Sequence, residues 1–148
     1  MPDQMAFDRL DLYPHRVEEK LRYGDTDRQG HIINAVFSSL LEAGRVVIIY
    51  DPARPLAESG CAFVIARLEI DFRAELNWPG SVSVGTAVAK LGRSSVELVQ
   101  AIFQDGRCAA TSHSVIVQMN EESRRSQILG ETARSVFSQF LLPEMLRT

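Results

Sequence analysis

The chain has 148 residues, which is typical of one domain and long enough to bury a substantial core. Hydrophobic residues make up 45% and charged residues 24%, the ordinary balance of a globular protein. The formal net charge of -3 excludes a strong global attraction to nucleic acid, so an anionic ligand needs a local basic patch.

The cysteines and the N-terminus indicate a cytoplasmic protein. Cys61 and Cys108 are too few for the disulfide framework of a small secreted domain. No stretch approaches the ~20 apolar residues of a membrane helix. The first residues lack the basic start and apolar run of a signal peptide. We expect one domain over residues 1–148, reduced and not inserted in a membrane, with residues 1–14 as an arm that packs late or not at all.

The first third of the chain predicts a strand, a polar loop and a long helix. We assign residues 17–23 to the strand, 24–31 to the loop and 33–50 to the helix. Apolar side chains cover most of the helix circumference, which is typical of a helix buried on most sides. One narrow polar stripe remains: Asn34, Ser38, Glu42 and Arg45.

The rest of the chain predicts four strands and a short terminal helix. From Phe63 the hydrophobic period changes to two, which indicates a long strand with one buried face and one wet face. The predicted strands cover residues 63–76, 82–91, 95–103 and 107–119, and the helix covers 131–142. Short turns require that neighbouring strands run antiparallel. The helix is apolar on most sides, so other parts of the chain must pack on it. We therefore predict an α+β protein whose antiparallel sheet wraps around one long central helix.

A motif stands between the first strand and the helix. Residues 25–37 read Asp-Thr-Asp-Arg-Gln-Gly-His-Ile-Ile-Asn-Ala-Val-Phe. Three later segments accompany this motif: Arg67 to Phe72, Trp78-Pro79-Gly80 and Gly92-Arg93-Ser94-Ser95. Over roughly residues 17–119 the chain resembles the hotdog-fold thioesterases, in particular the 4-hydroxybenzoyl-CoA thioesterase subfamily.

The resemblance implies a hotdog fold and hydrolysis of an acyl-CoA thioester to free acid and CoA. CoA is then part of the substrate, and no cofactor is needed. The family's catalytic carboxylate corresponds to Asp27, and the backbone around Ile33 and Asn34 polarises the thioester carbonyl. Active sites in the family lie at the interface of a homodimer, which often pairs again into a homotetramer. Relatives often carry Asn where this chain has Ile33, a difference that we expect to reshape the acyl pocket or to loosen substrate positioning.

The candidate site residues follow from the motif. Asp27 is the catalytic candidate, as general base or as nucleophile. The substrate-binding candidates are Gly30, His31, Ile33, Asn34, Arg93, Ser94 and Ser95. His31 is a general acid or a brace between loop and helix, and Asn34 contacts substrate or caps the helix. Arg93 binds a CoA phosphate or is a solvated turn residue.

Other charged residues have simpler interpretations. Asp25 is a turn residue or an ion-pair partner. Glu42 and Arg45 suggest an interface ion pair, with Glu42 as the reserve catalytic carboxylate. The histidines and acids show no metal-ligand spacing, so we predict no metal. Two alternative functions remain open: a thioesterase acting on acyl carrier protein, and a non-catalytic acyl-CoA-binding protein.

Overall fold

The structure is a computed structural model that describes residues 7–143. Within this range the predicted five strands and two α-helices are present. They follow in the order β1 (His15–Lys20), α1 (Asn34–Ile49), β2 (Cys61–Phe72), β3 (Ser81–Leu91), β4 (Ser95–Gln104), β5 (Arg107–Asn120) and α2 (Glu131–Ser138). None of the described helices is long and apolar enough to span a membrane.

All five strands form one antiparallel sheet in the order β1-β3-β4-β5-β2. Short turns make β3, β4 and β5 consecutive neighbours. In the β4–β5 turn, Asp105 and Gly106 have φ angles of 52° and 77°, the left-handed backbone that an Asp-Gly hairpin favours. The remaining two strands take the edges of the sheet. The predicted α+β class and antiparallel sheet are therefore confirmed.

Helix α1 packs across one face of the sheet. Phe37, Leu41 and Ile48 are buried against alternate residues of β3, β4 and β5, which all point to that face. At Gly44 the approach is closest, because a Cβ there would lie 2.8 Å from Val84 Cγ1. A side chain at position 44 would push the helix outward, so this glycine fixes the depth at which α1 lies.

The residues before β1 pack on the opposite face, which differs from the expected loose arm. Tyr13 is fully buried and its hydroxyl donates a hydrogen bond to the Phe7 carbonyl oxygen at 2.8 Å. Its ring fills the space left by Gly85, where a Cβ would lie 2.6 Å from Tyr13 Cγ. Phe103 and Leu142 complete this outer cluster. The part of the arm over residues 1–6 lies outside the described residues.

The terminal helix is shorter than predicted because β3 offers backbone partners beyond the end of β1. β1 begins at His15, which pairs with Thr86, so Val88 pairs with β4 on one side but has no β1 partner on the other. The Val88 N–H donates to the Phe140 carbonyl at 2.7 Å, and the Leu142 N–H donates to the Val88 carbonyl at 2.9 Å. The chain therefore leaves the helix at Ser138 and runs alongside β3.

The prediction of one buried face for the long strand is wrong for most of β2. Side chains from Val64 to Glu69 are exposed on both faces. Ile65 is 48% exposed although it points to the same face as α1, and Phe72 is 50% exposed. The reason is that β2 is an edge strand, and α1 does not reach across it. Within one chain, apolar side chains between Val64 and Phe72 therefore stay uncovered at this edge.

Candidate active site

The loop before α1 is anchored by Asp25. Its buried carboxylate accepts hydrogen bonds from Arg22 Nη2 at 2.8 Å and from the Arg22 backbone N–H at 2.9 Å. These bonds to Arg22 hold the pKa of Asp25 below its usual value. The Asp25 carbonyl also accepts the Ile33 N–H at 2.9 Å. Asp25 is thus the ion-pair partner proposed from the sequence, and it ties the loop to the start of the helix.

Asp27 sits in a small closed loop that orients its carboxylate. Oδ1 accepts backbone N–H groups from Gln29 at 2.8 Å and from His31 at 3.0 Å. The Asp27 N–H donates to the His31 carbonyl at 2.8 Å, and Gly30 closes the loop with a left-handed φ of 84°. Among residues 7–143, no group donates a hydrogen bond to Oδ2. One carboxylate oxygen therefore holds the loop, and the other is available for chemistry.

Helix α1 begins directly after this loop. Ile33 is the N-cap and makes no side-chain cap hydrogen bond, and Asn34 is the first helical residue. The side chain of Asn34 therefore does not cap the helix. The first turn of an α-helix carries N–H groups without intrahelical partners and a partial positive charge. An oxygen atom that gains negative charge is stabilised at such a position.

The Asp27 carboxylate and the start of α1 line one open cleft of about 500 Å³. Its lining residues are Asp27, His31, Ile32, Ile33, Asn34, Phe37, Phe72, Ala74 and Glu75. The rings of Phe37 and Phe72 meet edge to face with centroids 5.1 Å apart and form an apolar wall. One side of the cleft is thus suited to polar chemistry and the other to an apolar group.

His31 connects the loop before α1 to the segment that follows β2. Its Nε2 lies 3.2 Å from Glu75 Oε2, and its backbone forms a bridge with Asn77. Both contacts support the brace interpretation of His31. Glu75 itself was missed by the sequence analysis. It reaches the site because the Ile32 N–H binds the Leu76 carbonyl at 3.1 Å, a pairing between distant segments that leaves no local signal.

A slightly larger cleft of about 560 Å³ lies on the side of the sheet near the chain start. Four carboxylate residues line it: Asp8, Asp11, Glu18 and Asp105. It contains neither a helix start nor the motif residues, and its negative charge would repel an anionic substrate. We therefore take the Asp27 cleft as the candidate site, despite its smaller volume.

The structure separates the predicted phosphate-binding turn from the other site residues. Ser95 pairs with Val117 on β5, whereas Phe72 of the cleft pairs with Ala110 on the same strand. Seven residues of β5 span about 23 Å. Arg93, Ser94 and Ser95 therefore lie at the opposite end of the sheet from Asp27 within one chain. The turn is well fixed, because the Leu129 N–H binds the Arg93 carbonyl at 2.9 Å.

Glu42 and Arg45 do not form the suggested ion pair within the described part of the chain. Glu42 is exposed, whereas Arg45 is buried and donates from Nη1 to Gln100 Oε1 at 3.2 Å. No carboxylate of residues 7–143 lies within 4.0 Å of the Arg45 guanidinium.

No group of three or more His, Cys, Asp or Glu side chains among residues 7–143 is arranged to hold a metal ion.

Comparison with known proteins identifies the family. Residues 21–145 match the sequence profile of the Thioesterase-like superfamily. The match covers most of the chain, so the chain belongs to this superfamily. No curated protein matches the chain. Thioester hydrolysis consumes only water, so the family's reaction needs no cofactor, and CoA is part of the substrate or the product.

Solved structures agree with this assignment. A thioesterase from Thermus thermophilus, complexed with coenzyme A and Zn, is 29% identical with a TM-score of 0.75, over 88% of this chain and 96% of that chain. A predicted thioesterase from Bacillus stearothermophilus is 25% identical with a TM-score of 0.77, over 87% and 98%. A protein from Pseudomonas aeruginosa strain PAO1 shares the fold, with 23% identity and a TM-score of 0.80 over 90% and 96%. The hotdog fold is thus confirmed, and the family supports thioester hydrolysis.

The lowered pKa of Asp25 gives a prediction about stability. Because the folded chain binds protons at Asp25 more weakly than the unfolded chain, this contribution is complete at neutral pH. It is lost as the pH falls from about 5 through the folded pKa. Asp25→Asn should lower the free energy of unfolding at pH 7 by about 1 kcal/mol and flatten its pH dependence below pH 5. Urea unfolding from pH 3 to 7 measures both effects, and parallel curves for the two proteins would contradict the role of Asp25.

Proposed function

We propose that the chain is an acyl-CoA thioesterase that hydrolyses its substrate to a free acid and CoA. The observation that carries this proposal is that the Asp27 carboxylate and the uncapped start of α1 line the same cleft. Family membership supports the reaction type, and the coenzyme A complex of the Thermus relative supports CoA as the carrier. Cys61 and Cys108 are unpaired, in keeping with the cytoplasmic setting expected from the sequence.

In this proposal each part of the cleft has its own task. The thioester carbonyl oxygen binds at the first turn of α1, where the N–H groups of Asn34 and Ala35 stabilise its growing negative charge. Asp27 Oδ2 faces the carbonyl carbon. As a general base it takes a proton from the attacking water, the tetrahedral intermediate expels the CoA thiolate, and the thiolate takes up the proton. As a nucleophile it attacks the carbonyl carbon and expels the CoA thiolate, which leaves an acyl anhydride; water then hydrolyses the anhydride to the free acid and the Asp27 carboxylate, and the released proton goes to the thiolate.

Asp27 can be tested with a nearly isosteric substitution. Asp27→Asn should lower the turnover number on acyl-CoA by about 10²–10⁴, because the amide neither accepts a proton nor attacks the carbonyl. The melting temperature should barely change, since the Asn oxygen still accepts the Gln29 and His31 N–H groups. Steady-state kinetics and thermal unfolding on the same protein measure the two quantities.

Glu75→Gln is the matched control, because Glu75 is the other carboxylate of the cleft. We expect a far smaller loss of turnover from this variant. If Asp27→Asn keeps near-normal turnover, Asp27 is not the catalytic carboxylate, and Glu42→Gln becomes the next variant to measure.

We propose further that two copies pair through β2 to form a homodimer, which is also the unit of a homotetramer. The strand presents an unpaired backbone edge and exposed apolar side chains, among them Ile65, Leu68 and Phe72. An edge of this kind favours pairing with another strand. Since Phe72 also lines the cleft, a second copy at β2 would complete one wall of the active site.

Ile65→Lys should convert this dimer to a monomer, because a charged side chain on the paired edge opposes association. Light scattering at micromolar concentration measures the mass. Val47→Lys is the control, since Val47 is equally exposed at 47% but lies on α1 away from the edge. A wild-type monomer, or a dimer that survives Ile65→Lys, would contradict pairing through β2.

Pairing through β2 also gives the Gly92–Ser95 turn a place in the proposed site. A two-fold axis across antiparallel β2 strands reverses the second copy. The β3–β4 turn of the second copy then lies at the end of the extended sheet that carries Asp27. Arg93 is exposed there, its backbone is fixed, and its guanidinium suits a phosphate of CoA. We propose that Arg93, Ser94 and Ser95 bind the nucleotide end of the substrate in this way.

Arg93→Ala should raise KM for acyl-CoA by about tenfold, because a charged hydrogen bond is lost. Hydrolysis of the matching acyl-pantetheine, which has no nucleotide, should be unchanged. Arg124→Ala is the control, since Arg124 is an exposed loop residue outside this turn. Equal effects on the two substrates, or no effect on either, would remove Arg93 from the phosphate site and favour acyl carrier protein as the alternative carrier.

A further inference from the structure

Arg45 is a buried cation without an anionic partner in the described part of the chain. Only 7% of its surface is exposed, and its one hydrogen bond goes to the neutral amide oxygen of Gln100. Burial lowers the pKa of Arg45, and the charge of the exposed Glu42, beyond 4.0 Å, opposes this shift only in part. A buried charge is costly unless it is paired, so the site calls for an anion.

The residues around Arg45 are polar and partly unsatisfied. Gln100 Nε2 donates to the Leu41 carbonyl at 2.9 Å and to Thr86 Oγ1 at 3.0 Å, which fixes its oxygen toward Arg45. Ser112 is the register partner of Gln100 on β5, and Ser114 follows on the same face. Both serine hydroxyls are buried and have no hydrogen-bond partner among the described residues. We call Arg45, Gln100, Ser112 and Ser114 the polar cluster.

The polar cluster lies next to β2, on the same face of the sheet as the cleft and further from the C-terminal end of that strand. Phe72 lines the cleft, and Ile70 and Leu68 follow on the same face of the strand. These two residues are the register partners of Ser112 and Ser114. On the helix, Arg45 comes eleven residues after Asn34, which corresponds to about 16 Å along the axis. The side chain leans back toward the helix start, so the guanidinium lies on the order of 10–16 Å from it.

An acyl group that extends from the helix start along this line would reach the polar cluster with its far end. An unsubstituted fatty chain would leave the guanidinium and both hydroxyls against methylene groups. A carboxylate would accept two parallel hydrogen bonds from Arg45 and further bonds from Ser112 and Ser114. The polar cluster therefore suits an acyl group with a negative charge at its distal end.

We propose that the polar cluster binds the distal carboxylate of a dicarboxylic acyl group. The substrate class is then the mono-CoA thioester of a medium-chain dicarboxylic acid. This inference rests on the proposed acyl-CoA hydrolysis and names its substrate. Arg45 determines specificity in this scheme, and Asp27 and the start of α1 perform the chemistry.

The test compares suberoyl-CoA with octanoyl-CoA, which differ only in the distal carboxylate, using the wild-type protein and Arg45→Met. The wild type should have a kcat/KM at least about tenfold higher for suberoyl-CoA, because a charged hydrogen bond is gained. Arg45→Met should abolish this ratio while octanoyl-CoA hydrolysis persists. Arg124→Met is the control, since Arg124 is an exposed arginine on the loop after β5 and lies outside the β2 edge, and it should keep the ratio.

Ser112→Ala is a milder variant that nearly keeps the volume of the core, and it should reduce the ratio of the two kcat/KM values by a few-fold. Equal kcat/KM values for the two substrates in an active wild type would overturn the dicarboxylate proposal and leave the thioesterase proposal intact. The same holds if Arg45→Met dissociates the dimer and keeps the ratio, since Arg45 would then serve pairing.

Inactivity toward every acyl-CoA would contradict the proposed function instead. Calorimetry with free suberate and octanoate then decides the binding proposal by itself. Binding of suberate alone, lost in Arg45→Met, would support the polar cluster as a carboxylate site. No binding of suberate to the wild type would overturn it.

Discussion

The close contact between α1 and the sheet at Gly44 is the constraint on which the rest of the molecule depends. With no side chain at this position, the helix sinks until its backbone meets Val84, Thr86 and Gln100. The depth of the helix sets where its first turn emerges. The Ile33–Asp25 and Asp27–His31 hydrogen bonds then hold the loop against that turn. The carboxylate and the helix start are brought together by packing some ten residues away from either.

The features that the sequence predicted well are those encoded locally. The bounds of α1, the Asp105–Gly106 hairpin and the adjacency of Asp27 to the helix start all depend on residues close together in the chain. The strand pattern of β3, β4 and β5 was equally informative because α1 buries one face of these strands. In β2 the same alternation was misleading. Its apolar side chains alternate as in a strand with one buried face, but most of them are not covered by another part of the described chain.

The burial of Arg45 shows why part of the proposed site could not be predicted from the sequence. Its spacing from Asn34 placed it on a polar stripe, and a polar stripe on a helix usually faces water. The structure sets it over a row of polar residues drawn from three strands, Thr86, Gln100 and Ser112. These residues share a row only through the register of the sheet, which no local pattern reveals. The same holds for Glu75, which reaches the cleft through backbone pairing of distant segments.

The two edges of the sheet differ in a way that decides what assembly can follow. The β1 edge has six residues and carries Arg16, Glu18, Glu19 and Lys20, so it is short and charged. The β2 edge has twelve residues and is largely apolar over its exposed stretch. Joining two copies through β2 consumes both attractive edges and leaves only β1 at each end. In the proposed β2 dimer, growth by strand addition would therefore stop at ten strands, and the sheet would end at β1 on both sides rather than extend into a fibre.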